Sequence, residues 1–74
     1  MGMEFNNLAA QASTAIYKLL LGHIGEMVVL STAAVVVTGV LEAVQQSYAT
    51  VRKADGDAEY VVLGFVESVS FPGA

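Results

Sequence analysis

The chain has no cysteine among its 74 residues, which removes a disulfide framework and a thiolate metal site, the two commonest staples of a domain this short. Basic residues are almost as scarce. Lys18, Arg52 and Lys53 face seven acids, for a formal net charge of −4. Non-specific nucleic-acid binders neutralise several phosphates with clustered lysines and arginines, and the only cluster here is Arg52-Lys53. The same shortage argues against a helix lying on an anionic membrane. Charged residues make up 14% of the chain and hydrophobic ones 55%. That balance is too apolar for a disordered tail and short of charge for a lone domain, so the surplus apolar surface calls for a partner. At 7.7 kDa the chain holds one small domain, which buries only about 60% of what it exposes unfolded.

A long hydrophobic run is also missing. The uncharged stretch Met27 to Leu41 spans 15 residues. As a helix it would rise about 22 Å, short of the roughly 30 Å of a bilayer core. A small membrane protein with two short helical spans is therefore a rival that length and valine content disfavour. No basic segment precedes an apolar stretch, so a cytoplasmic location is expected. Residues 1–6 read as a disordered lead or a remnant of an expression vector, and 7–74 as the domain.

Asn6 and Asn7 are good N-caps, and Leu8, Ala12, Ile16 and Leu19 or Leu20 follow at helical spacing. The expectation is a helix over about 7–21, closed by Gly22 as its C′ glycine, with Lys18 and His23 at the negative end of the dipole. Beyond Gly25 the chain turns to β-branched residues, and strands are expected at about 27–31, 35–44, 48–53, 59–63 and 67–71. Ala54-Asp55-Gly56-Asp57 is the clearest hairpin turn. Ser31-Thr32-Ala33-Ala34 offers a turn neither glycine nor asparagine. In the second strand, Val35, Val37, Gly39, Leu41 and Ala43 alternate with Val36, Thr38, Val40, Glu42 and Val44, and both faces are largely apolar. Gly39 inside that strand marks a sharp bend, as in a small, strongly curved barrel.

One helix followed by five bent strands, with Leu21-Gly22 closing the helix, resembles the Sm-like family, which includes the Sm and LSm proteins and bacterial Hfq. Gly39 and Leu41 fit the Gly-x-Leu core of its first motif, and Gly64, after Tyr60-Val61-Val62-Leu63, fits the glycine of its second. The resemblance covers about Leu8 to Phe71. It implies a mainly β fold with an N-terminal helix: a five-stranded, strongly bent antiparallel barrel of the SH3-like kind. It further implies a homo-oligomeric ring of five to eight subunits, in which the fourth strand pairs with the fifth strand of the next copy. The interface would draw on Tyr60, Val61, Val62, Leu63, Val69 and Phe71, along apolar, uncharged edges.

The family holds an RNA base in the loop after strand two. Its positions fall here at Gln45, Ser47 and Ala49, with the Gln46 amide and the Tyr48 ring beside them, and its basic residue before the second glycine is Leu63. An RNA site would therefore comprise Gln45, Gln46, Ser47, Tyr48 and Gly64, helped by Arg52 and Lys53. Tyr48 has the competing role of packing across a subunit boundary. A ring of six copies would carry about −24, which repels RNA.

The remaining signals are bland. His23 has no nucleophile to serve and reads as a helix-end cap. Asp55-Gly56-Asp57-Ala58-Glu59 is too short for a calcium loop and reads as a solvated hairpin. No nucleophile elbow or phosphate-binding glycine array occurs. The expectation is a non-catalytic scaffold or binding ring without cofactor or metal.

Overall fold

In a computed structural model, the backbone is described over residues 2–73 and the side chains over 12–73. Helix α1 runs Gly2–Leu21. It therefore takes in residues 2–6, and Asn6 and Asn7 lie inside it. An interior asparagine costs well under about 1 kcal/mol of helix propensity, too little to force a start at Asn7. Five strands follow: β1 Met27–Thr32, β2 Val36–Val44, β3 Tyr48–Arg52, β4 Ala58–Val62 and β5 Val66–Ser70. A single 3-10 turn, Leu63–Phe65, joins β4 to β5. All pairings are antiparallel, and the strand order in the one sheet is β4-β3-β2-β1-β5. The stretch 27–41 is thus mostly strand, and no described helix is long and apolar enough to cross a membrane.

The turns show how each strand ends. Gly22 does not take the left-handed conformation expected of it. The helix unwinds through further turns, in which His23 N–H donates to the Leu20 carbonyl at 2.9 Å, and Gly25 at φ 93° makes the reversal. Gly25 N–H then reaches the Leu41 carbonyl at 2.7 Å, and Leu41 N–H the Glu26 carbonyl at 2.9 Å, which ties the helix exit to the middle of β2. The first hairpin manages without glycine because Thr32 Oγ1 accepts the N–H groups of Ala34 at 3.2 Å and Val35 at 3.1 Å, a side chain standing in for turn backbone. In the β3–β4 turn Gly56 has φ 93°, and Asp55 Oδ1 accepts the Asp57 N–H at 2.9 Å.

One apolar core forms inside the curved sheet: Leu20, Val28, Leu30, Val37, Leu41, Val44, Ala49, Val51, Val61 and Leu63. Ile16 and Tyr17 pack on it from the helix, and no described polar side chain is buried. Along β2 the alternation holds from Val36 to Leu41, then fails. Leu41 pairs with Val51 and Ala43 with Thr50, leaving Glu42 as an extra residue that reverses parity and turns Val44 inward instead of Ala43.

A Cβ built on Gly39 would press into the Arg52 carbonyl oxygen and lie 2.8 Å from Val51 Cγ1. Only a hydrogen side chain lets β3 approach β2 this closely. Gly39→Ala is expected to destabilise the fold by about 1–3 kcal/mol. Urea titration should show a lower midpoint with an unchanged slope. An unaltered midpoint would mean that the two strands do not approach so closely at Gly39.

Candidate interaction surface at the sheet edges

Strand order decides which backbone is left over. β4 pairs only with β3, and β5 only with β1, so each presents one row of backbone groups without a strand partner. Along β4 the pleat sends Val61 into the core, 5% exposed, and leaves Tyr60 and Val62 outside at 65% and 48%. Leu63 also points inward, whereas Phe65 in the 3-10 turn stands 70% exposed. β5 is the more polar edge. Glu67, Ser68 and Ser70 are exposed, while Val66 and Val69 lie half-buried against the core. The expectation of two uncharged edges is therefore corrected at both: β4 carries Glu59, and in β5 the register shifts between Ser68 and Val66 and leaves Glu67 as the extra residue.

Beside the β4 edge opens a cleft of about 590 Å³. Ala33, Ala34 and Val35 of the first hairpin form one wall, Tyr60 and Val62 another, and Phe65 a third. Glu59 and Glu67 supply its carboxylates. A lone small domain seldom leaves this much clustered apolar surface in water. The residues that sequence reasoning missed are here. Phe65 carries no periodicity to mark it, and for Val35 the sequence offers only its place in the alternation of the second strand.

The interface residues expected from the sequence therefore sort into two groups. Tyr60 and Val62 stand on the open edge. Val61 and Leu63 belong to the core, with the Leu63 N–H and carbonyl taken by Ser47 and Val66, and Val69 is half-buried under β5. Phe71 is turned to the helix exit, where it stacks on His23 with centroids 3.8 Å apart and an interplanar angle of 17°. His23 Nδ1 lies 3.1 Å from Glu26 Oε1.

The residues assigned to RNA are partly assembled. Gln45, Gln46 and Ser47 are exposed in the β2–β3 turn, and the Leu63 N–H donates to the Ser47 carbonyl at 2.9 Å, which draws the turn toward Gly64. Tyr48 meets Tyr60 edge to face at 5.9 Å and 66°, and with Ser47 and Val62 they line a shallow hollow. Arg52 and Lys53 are engaged elsewhere. Arg52 donates Nε to Glu42 Oε2 at 2.9 Å, Nη2 to Glu42 Oε1 at 3.0 Å and Nη1 to the Gly56 carbonyl at 2.9 Å. Lys53 Nζ lies 3.4 Å from Glu59 Oε1. Among the described residues no group of three or more His, Cys, Asp or Glu side chains stands where it would hold a metal.

Comparison of the chain with protein-family models, with curated proteins and with solved structures gives no match.

The Glu42–Arg52 fork has a pH signature. Hydrogen bonding from Arg52, ahead of the opposing desolvation and joined by coulombic attraction, lowers the Glu42 pKa from its usual 4.5. A carboxyl with a lower pKa folded than unfolded adds stability above its unfolded value, and that stability is lost as pH falls through the folded value. Glu42→Gln should therefore lose stability at neutral pH and show a shallower decline on the acid side of 4.5. Urea midpoints of both proteins across that range check this, and parallel curves would refute it.

Proposed function

We propose that this chain is the protomer of a homo-oligomeric ring of the Sm-like kind, a non-catalytic scaffold or binding module. The ring is closed by β4 of one copy pairing with β5 of the next. The observation that carries the reading is the pair of unpartnered strands at the two ends of one antiparallel sheet, with Tyr60 and Val62 exposed on the β4 side beside an apolar cleft. Strand addition satisfies the open backbone row of each edge, and a head-to-tail contact that repeats by rotation closes without leaving an edge over. Five to eight copies fit this reading, in the cytoplasmic location expected from the sequence.

A second reading keeps the ring and adds RNA at Gln45, Gln46, Ser47, Tyr48 and Gly64. The exposed Tyr48 ring beside Tyr60 favours it, because aromatic faces accept stacked bases. The intrachain pairing of Arg52 with Glu42 and of Lys53 with Glu59 weighs against it, since phosphates would have to compete with carboxylates. Short U-rich or A-rich strands should then bind at low salt and be released by Tyr48→Ala. Absence of binding by the parent protein at low salt removes the reading.

The test of the ring is the native mass of the protein in plain buffer, expected as one species at a small multiple of 7.7 kDa. Val62→Lys puts an unpaired charge into the contact, which costs several kcal/mol, on the order of 3–5, and should return the protein to monomer. A variant that stays assembled would show that the edge is not the interface.

A further inference from the structure

Three basic side chains serve this chain, and two of them are taken. Arg52 is held by Glu42 and Lys53 by Glu59. Lys18, in the last turn of α1, makes no ion pair with another described residue. At 100° per residue it lies nearly opposite the buried Leu20, so it points away from the core, and its neighbours Leu19 and Leu21 flank it. Both leucines are exposed, at 47% and 43%. The outward face of the turn is thus a cation between two apolar shoulders.

The cleft is its complement. Its walls are apolar, and of its two carboxylates Glu59 already has Lys53. Glu67 has no cation among the described residues, and the register shift in β5 that leaves it unpaired sets it at the cleft. Among the described residues none of α1 lines that cleft, so the chain does not fill it with its own last turn.

We propose that the last turn of α1 of one copy docks in the cleft of a second copy, with Leu19 and Leu21 against its apolar walls and Lys18 against Glu67. Leucine burial supplies the attraction, and the charge pair sets orientation and register. The two surfaces are different patches of one protomer, so the contact is heterologous and repeats from copy to copy. It uses side chains of the helix and cleft and takes none of the strand-edge hydrogen bonds, so it goes beyond the pairing of β4 with β5.

The experiment is zero-length carbodiimide coupling of an equal mixture of isotopically heavy and light full-length protein. The expected product is a heavy–light peptide joining Lys18 to Glu67, with the intrachain pair Lys53 and Glu59 at 3.4 Å as internal reference. Lys18→Glu and Glu67→Lys should each raise the concentration at which the assembly dissociates by about tenfold or more, and the double variant should restore it to within about threefold. Because reversed charge at a helix C-terminus can unfold the last turn, Lys18→Gln accompanies it and circular dichroism is recorded for each protein. The proposal is overturned if Lys18 couples only within its own chain or not at all, or if Lys18→Gln and Lys18→Glu leave dissociation unchanged. Failure of the double variant to rescue overturns it equally. Dissociation by Val62→Lys with no effect at Lys18 leaves edge pairing alone; because Val62 also lines the cleft, the converse arm uses Ser70→Lys on the β5 edge outside it, and dissociation by the Lys18 variants with Ser70→Lys still assembled leaves this contact alone.

Discussion

The close approach of β3 to β2 at Gly39 is the constraint on which the rest of the structure depends. Next to the Arg52 carbonyl and the Val51 side chain there is no room for a Cβ. A strand that bends at such a point serves both sides of one small core, and a chain with few residues to bury has no other economical way to enclose them. The inward set gathers around this approach. Val37 precedes it, Leu41 and Val44 follow it, and Ala49, Val51, Val61 and Leu63 come back over them from the next two strands. The helix exit is tied to the same stretch through the backbone bonds of Gly25 and Glu26 with Leu41, so Leu20 reaches the core only because β2 lies where it does.

Enclosing the core does not satisfy the sheet. The meander from β1 to β4 puts β4 at one end, and the return of β5 to the far side of β1 uses the other, so the 3-10 turn links two edges that remain without partners. Core and surface then divide the valines in an instructive way. Those at 28, 37, 44, 51 and 61 are buried, while those at 35, 36, 40 and 62 are exposed. The inner set is what a single domain needs; the outer set has no use inside one copy. Clustered exposed apolar side chains beside an open strand edge are the usual sign of an association surface or an aggregation hazard.

Legibility in the sequence followed the kind of signal. Element type was readable because helical spacing around Ile16 and Leu20 gives way abruptly to β-branched residues, and all five strands lie within two residues of where that change and the turn chemistry put them. Gly39 was readable as a special position of the second strand, and what the structure shows there is the close approach of β3. The misreadings share a cause: local preference is weak against what neighbours demand. Gly22 has the composition of a cap, yet the chain needs its reversal three residues later to bring Glu26 to Leu41, and Gly25 makes it. Glu42 and Glu67 become extra residues through pairing with β3 and β1, which no pattern within β2 or β5 records. The candidate surface suffered most, because Phe65 and the Ala33-Ala34 turn meet β4 only through the curvature of the whole sheet.

Charge sets the terms on which copies can meet. Each brings −4, so coulombic self-repulsion grows with every subunit added and favours contacts that bury few carboxylates. The fold already moves in that direction. The guanidinium of Arg52 closes on Glu42 and the ammonium of Lys53 on Glu59, which pairs two of the seven acids within the chain, and Glu26 lies in hydrogen-bond reach of His23. What is left near the β4 edge is aliphatic and aromatic, and of the two carboxylates at the cleft Glu67 is the one without a cation among the described residues. Of the basic side chains Lys18 is the one without an ion pair to another described residue, and it is set between two exposed leucines. In the proposed assembly, the cation beside apolar side chains and the acid beside an apolar cleft would be the two halves of a specific contact on a surface otherwise suited only to non-specific sticking.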